Sequence, residues 1–307
     1  MAAFPDQTIA SGQQTEAKRS MSEDRDIETG QDDLTSTSNV LFLCLARDCA
    51  KTIPTFFSYL RGLDDAGFHC SAIIGENGSR DVTRTLITRA VGERIELLDT
   101  SFMAKAETRL QRMAMGREAL KRKACERAGP VDYICVADLD NVMQAPPDPA
   151  TVNSAIARLR GDRNLFAAGA NSRPFYYDLL SLRAEGHDYS GLNAEIARAK
   201  RNPFTYYQFH QRRIYSRQKQ VASQQPMRCQ SSFNGFCVYD ASCYREGTYR
   251  ASNEAEICEH VTFNLSIVRK TAKDMVIAPE LVVQAPPDHA PAGFFRFWAD
   301  RIAERMP

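Results

Sequence analysis

Residues 131–140 read VDYICVADLD, a short apolar run that ends in two acids, Asp138 and Asp140. Six or seven apolar residues are too few for a buried helix. A run of that length closing on polar residues is the signature of a parallel-sheet strand covered on both faces. Upstream, the spacing predicts a helix over about 105–128, dense in Arg and Lys but with Leu110, Met113 and Leu120 on a recurring face, closed by Gly129-Pro130. Before it stand RIELLD (94–99), a strand; VTRTLITRAV (82–91), a helix; and HCSAIIGE (69–76), a strand. Pro54 opens a helix over TFFSYLRGL (55–63), and NVLFLCLA (39–46) is the first strand. The alternation β-α-β-α-β-α-β implies an α/β fold with a doubly wound, mostly parallel sheet. Ligands in such sheets bind beyond the carboxyl ends of the strands. That edge is where Glu76-Asn77-Gly78-Ser79 and Asp138-Leu139-Asp140 fall.

The second half is less regular. A helix is expected over 149–160 and a strand over 165–168. Residues 186–226 are rich in Arg, Gln and Tyr and poor in aliphatics, which reads as a long acceptor-side insertion or a mobile loop. SFNGFCVYD (232–240) returns to strand character, EAEICEHVTFNLSI (254–267) reads as helix, and DMVIAPELVVQAPP (274–287) as a pair of strands. Residues 1–38 are polar without an apolar period and are expected to be disordered, with one folded domain over 39–290 and an amphipathic helix over 291–307.

Composition narrows the function. The 307 residues are 43% apolar and 25% charged with a net charge of +1, so no global field points to nucleic acid. Nine cysteines occur without a CxxC pair, which disfavours a zinc ribbon or a thioredoxin-like site, and the odd count fits a reducing compartment better than a disulfide framework. No apolar run approaches a membrane span, and MAAFPDQTIASGQQ lacks the regions of a signal peptide, so the expected location is cytoplasmic.

Two acids spaced two apart at a strand end suit a hard divalent cation, Mn²⁺ or Mg²⁺, bridging the phosphates of a nucleotide diphosphate whose charge grows as it leaves. Asp138 and Asp140 are the candidate metal and donor residues, with Asp140 the more direct ligand. Glu76, Asn77 and Ser79 form a rim suited to the base and ribose of the donor, although a well-made turn explains the same residues. Glu259 is the candidate catalytic carboxylate and His260 the candidate third metal ligand, on a helix where Glu256 shares their face; the alternative is a solvated acidic face. Arg109, with Arg112 and Arg117, is placed to line the donor diphosphate unless these form a solvated basic face. Asn234-Gly235 brings backbone and an amide close to a sugar or acceptor, or else makes a simple turn.

Taken together, the order strand, ENGSRD, Arg-rich helix, acidic strand end, YYDLLSLR (176–183) and FNGFCVYDA (233–241) resembles the fungal capsule-associated α-1,3-mannosyltransferases and their bacterial relatives. The likeness spans about residues 39–265. Tyr177-Asp178 through Leu182-Arg183 matches one short motif, Asn234-Gly235 through Tyr239-Asp240-Ala241 a second, and Glu256–Glu259 more loosely a third. Arg117-Glu118 departs from the Arg-Asn common at that point in the family, and the fungal members carry a membrane anchor that is not read here. The resemblance implies a GT-A fold, a divalent metal and a nucleotide-sugar donor, GDP-mannose in the fungal case, with Asp178 and Asn234 at the sugar or acceptor. The acceptor would be a glycan or a lipid-linked molecule. Competing readings are a sugar-phosphate nucleotidyltransferase, disfavoured because LARDCAKT (45–52) has no glycine, and a non-catalytic carbohydrate-binding protein. In AGFFRFWADRIAERMP (292–307), Phe294, Phe297, Trp298 and Ile302 fall near one helical face with arginines elsewhere. That pattern suits peripheral contact with the inner face of an anionic membrane, or docking on the protein's own domain.

Overall fold

A computed structural model describes residues 37–250 and 257–303, apart from the side chains of Asn141, Asp288, Asp300 and Ala303. The expectations for residues 1–36, for Glu254 and Glu256, and for the end of the C-terminal helix at 304–307 lie outside the described residues.

In chain order the elements are β1 (Ser38–Ala46), α1 (Ile53–Asp65), β2 (Phe68–Glu76), α2 (Thr83–Ala90), β3 (Ile95–Asp99), α3 (Arg109–Glu126), β4 (Tyr133–Asp138), α4 (Pro149–Gly161) and β5 (Leu165–Arg173). A short two-stranded ladder of β6 (Arg183–Ala184) and β7 (His187–Asp188) follows, then α5 (Leu192–Ala199), α6 (Pro203–Phe209) and α7 (Ser216–Ser223). The chain ends with β8 (Met227–Cys229), β9 (Phe236–Asp240), α8 (Ala241–Glu246), α9 (Glu259–Thr271), β10 (Asp274–Gln284) and α10 (Phe294–Ala303). Eight strands form one sheet in the order β3-β2-β1-β4-β9-β5-β10-β8. β1 runs parallel to β2 and β4, β2 to β3, and β5 to β10; β9 is antiparallel to both β4 and β5, and β8 to β10. This is the doubly wound, mostly parallel α/β sheet that the alternation of strands and helices implies.

Period-2 alternation sends each strand's side chains to two cores. Val40, Phe42 and Cys44 of β1 and Tyr133, Cys135 and Ala137 of β4 join the α1/α4 side, where Phe42, Phe56, Tyr59 and Phe236 meet edge to face. Leu41, Leu43, Ile134 and Val136 join the opposite core with Leu120, Phe263 and Tyr239. α3 opens with a capping box, in which Thr108 Oγ1 accepts from Gln111 N and the Gln111 side chain accepts from Thr108 N. Gly116 lets this helix press against the sheet side. A Cβ there would lie 2.5 Å from Met103 Sδ and 3.0 Å from Leu45 Cδ2.

Three expectations need correction. Residues 186–226 are largely helical: Asn202 Oδ1 accepts from Phe204 N and Thr205 N, Pro203 takes the first turn, and a π-helical stretch (His210–Tyr215) runs into α7. The buried face mixes aromatics and aliphatics, Tyr206 and Tyr215 with Ile214 and Val221. Residues 274–284 make one strand rather than two; the break in pairing with β5 lies between Ala278 and Val282, at Pro279, which has no N–H to donate. Among the described residues the helix expected over 254–267 begins only at Glu259. No helix among the described residues is long and apolar enough to cross a membrane.

Candidate active site

Asp138 closes β4, and the chain then turns so that Leu139 drops into the core at 1% exposure while Asp140 faces outward. The buried leucine therefore anchors the acidic pair. Its carbonyl accepts from the Thr52 hydroxyl, tying the end of β4 to the loop after β1. Asp140 Oδ1 accepts from Val142 N at 3.3 Å, capping a short 3₁₀ turn. Beneath the pair lies a buried charge cluster. Arg117, only 2% exposed, donates through Nη2 to Asp138 Oδ1 at 2.7 Å and through Nε to Glu259 Oε1 at 3.3 Å. Its guanidinium also lies over the Phe233 ring at 5.0 Å. Burial pushes the Asp138 carboxyl up to about 7; Arg117 opposes this, while the charges of Asp140 and Glu259 add to it.

Asp178 belongs to the same group. Burial raises its carboxyl, the Ser181 hydrogen bond opposes, and the charge of Glu259 adds to the rise. Tyr177 shares the environment; burial raises its phenol, followed by the charges of Asp138, Asp178 and Asp140. Sequence reasoning reached Tyr177 only through a resemblance. Its signal is the closeness of its hydroxyl to Gly235, where a Cβ would lie 2.3 Å away.

The loops after β1 and β2 interlock. Asp48 N donates to Ser79 Oγ (3.0 Å), Arg80 N to Asp48 Oδ1 (2.7 Å), Ala50 N to Asp81 Oδ2 (3.1 Å) and Cys49 N to Thr83 Oγ1 (2.7 Å). Glu76 is the brace of this structure rather than a ligand contact. It is wholly buried, accepts from Ser79 N at 2.6 Å and pairs with Arg84 at 2.7 Å. Burial pushes its carboxyl up, but those hydrogen bonds prevail and hold it below the usual range. Asn77 and Ser79 remain half-buried at the rim.

Four further expectations change. Asn234 is fully buried at φ +56°, with Oδ1 accepting from Tyr177 N and Asp178 N at 3.2 Å and Nδ2 donating to Ala170 O at 3.2 Å. Its amide fixes the Tyr177-Asp178 backbone and is not available to a sugar. Arg109 is exposed in the first turn of α3, about 12 Å along the axis from Arg117, so Arg117 is the arginine that enters the cluster. Arg112 turns back to Ala106 O at 3.3 Å. His260 is 2% exposed and stacked on Phe233 with ring centroids 3.6 Å apart. Burial, helped by Arg117, keeps its imidazole neutral, well below the usual range. Among the described residues no group of three or more His, Cys, Asp and Glu side chains is arranged to hold a metal ion, so His260 does not complete a ligand set with Asp138 and Asp140.

The donor set still fits a hard cation that keeps open positions. Such ions are held by one or two carboxylates, with substrate phosphates and water completing the shell. Arg117 Nη1 and both ring nitrogens of His260 are buried without a hydrogen-bond partner, so the cluster has polar capacity that the described residues do not satisfy. A cavity of about 780 Å³ opens against Glu259, lined among others by Leu110, Met115, Glu118, Tyr249 and Thr262.

No protein-family model matches the chain, and no curated protein sequence matches it. Solved structures resemble it distantly. Glucosyl-3-phosphoglycerate synthase from Mycobacterium tuberculosis, crystallised with Mn²⁺, uridine diphosphate and glucosyl-3-phosphoglycerate, is 11% identical over 85% of this chain and 75% of its own, with a TM-score of 0.42. S. aureus TarS (residues 1–349) is 9% identical over 82% of this chain and 61% of its own, at 0.46. Mannosyl-3-phosphoglycerate synthase from Rubrobacter xylanophilus is 12% identical over 80% of this chain and 65% of its own, at 0.42. At these identities and TM-scores the likeness carries no residue role from one chain to another.

Proposed function

We propose that this chain is a metal-dependent GT-A glycosyltransferase that moves a hexosyl group from a nucleotide-sugar donor to a glycan or lipid-linked acceptor. The observation that carries the reading is the Asp138-Leu139-Asp140 turn at the carboxyl end of a central parallel strand, with its leucine buried and Asp140 turned outward. Asp138 and Asp140 would hold Mn²⁺ or Mg²⁺ together with the donor diphosphate; when bound, the ion neutralises charge on the leaving phosphate. Asn77 and Ser79, half-buried on the loop after β2, are the candidates for contact with the nucleoside. Arg117 keeps Asp138 oriented and supplies a fixed positive charge near the leaving group. In the transfer, the bond from the anomeric carbon to the diphosphate breaks with its electron pair on the phosphate oxygen. The acceptor oxygen bonds to that carbon, and its proton passes to a carboxylate. Glu259 is the candidate for that carboxylate, because it borders the 780 Å³ cavity from which an acceptor could approach. Asp178, whose carboxyl is raised by burial and further by the charge of Glu259, is the second. The resemblance to the capsule-associated mannosyltransferases favours GDP-mannose as the donor.

Nucleotide release from GDP-, UDP- and dTDP-sugars, with and without Mn²⁺, tests this directly. Mn²⁺-dependent release from one donor class, with a matching rise in melting temperature, is expected. Neither release nor a thermal shift with any of them would overturn the reading.

A further inference from the structure

α6 and α10 meet across an aromatic seam. Tyr207 packs against Phe294 at 5.2 Å and Phe297 at 5.3 Å, and Tyr206 against Phe297 at 5.4 Å. The seam covers Phe297 completely but leaves Phe204 72%, Phe294 41% and Phe295 88% exposed. Phe204 and Tyr207 are three residues apart on α6 and so share a face, and the Phe295 ring lies 5.7 Å from that of Phe294. The outward phenylalanines thus form one edge built from two elements.

Single exposed apolar side chains are ordinary; the α6 side of this edge lies in a strongly cationic segment. Residues 192–223 carry five arginines and two lysines against one acid, Glu195, and Arg213 engages that acid at 3.2 Å. Thr205, next to Phe204, lines a surface cavity of about 610 Å³ together with Arg198, Gln208, Arg212 and Arg213.

We infer that this surface docks on an anionic phospholipid bilayer, with Phe204 and Phe295 entering the acyl boundary and Arg198 and Arg212 meeting headgroup phosphates. Charge complementarity and exposed aromatics on one surface are the requirements of interfacial binding. A soluble polyanion would use the arginines but gain nothing from the phenylalanines. The surface differs from a simple amphipathic C-terminal helix, because Phe297 faces the protein.

Co-sedimentation of the full chain with vesicles of phosphatidylcholine alone, or mixed with phosphatidylglycerol, tests the inference without any sugar donor. Binding to the mixed vesicles at low salt, and its loss at high salt, is expected. The Phe204→Ser/Phe295→Ser variant should bind about tenfold or more weakly at an unchanged melting temperature, since both side chains are largely exposed. Arg198→Gln/Arg212→Gln should also bind more weakly. A full chain that stays in the supernatant with the mixed vesicles at low salt overturns the inference. So does a double phenylalanine variant that sediments like the parent, which would make the surface a polyanion site.

Discussion

Arg117, buried in α3, lies 2.7 Å from Asp138 at the end of β4 and at the same time 3.3 Å from Glu259 at the start of α9. One side chain thereby fixes two acids that are far apart in the sequence. Two carboxylates gathered in a buried site repel each other, and the guanidinium between them permits the arrangement.

Replacing Arg117 should therefore cost more than its packing. Arg117→Met keeps much of the volume and removes the charge, so a loss of about 3 kcal/mol is expected well above about pH 7, where Asp138 is charged. Urea denaturation measures it. The deficit should shrink as the pH falls through about 7 and Asp138 takes up a proton. A deficit that stays constant with pH would show that Arg117 acts through volume alone.

Asp140→Asn tests the metal assignment. The amide keeps the shape of the side chain and can still accept from Val142 N, but it lacks the charge that a hard cation needs. Transfer should fall by at least about a hundredfold, more than 2.7 kcal/mol in the barrier, with the melting temperature unchanged in the absence of metal. Near-normal turnover of the purified variant at saturating Mn²⁺ would remove Asp140 from the ligand set.

Gly235 sits at φ +81°, and a Cβ there would meet Tyr177 Oη at 2.3 Å and Val142 Cγ2 at 2.7 Å. Its carbonyl accepts from Asp138 N at 3.0 Å. Gly235→Ala should cost about 1–2 kcal/mol in backbone strain alone and more through the clash, and should shift both Tyr177 and Asp138. Activity is expected to fall with stability in this variant. A stable, fully active Gly235→Ala protein would mean that the turn is not coupled to the site.

The parallel half of the sheet was legible because its strands are covered on both faces. Val40–Ala46 and Tyr133–Ala137 are unbroken apolar runs for that reason, and Asp138 at the end of the second marks the ligand edge. What escaped depends on contacts distant in sequence. The amide of Asn234 is bonded to the backbone of Tyr177, 57 residues away, and nothing local distinguishes that from a ligand contact. Glu76 resembled an exposed rim residue because its neutralising partner, Arg84, lies in the next helix. Arg109 and Arg117 are equivalent by composition; only Arg117 sits next to Gly116, where α3 comes closest to Leu45 and Met103, and so only Arg117 reaches Asp138. The helices within 186–226 bury Tyr206, Ile214, Tyr215 and Val221, too few aliphatics to show a helical period in the sequence.

His210 links the docking of the C-terminal helix to pH. It is 8% exposed, stacks edge-on against Tyr206 at 4.7 Å and Phe297 at 5.0 Å, and neither ring nitrogen has a hydrogen-bond partner. Burial, with the positive charges of Arg301 and Lys200 adding to it, lowers its pKa to about 4. The unfolded chain, with an ordinary histidine near 6.5, then binds more protons than the folded one between those two values. The neutral ring's contribution is fully present above about 6.5, declines as the pH falls, and is lost by about 4, to a limit of about 3 kcal/mol. Other groups titrate in the same window, Asp138 in the opposite sense, so the informative quantity is a difference between two proteins. His210→Phe keeps a ring in the seam and removes the titration. Subtracting its unfolding free energy from that of the parent at each pH should give a curve that is flat above 7 and falls steadily toward pH 4. A difference that does not change between pH 7 and 4 would mean that the imidazole is solvated and that α10 does not hold it buried.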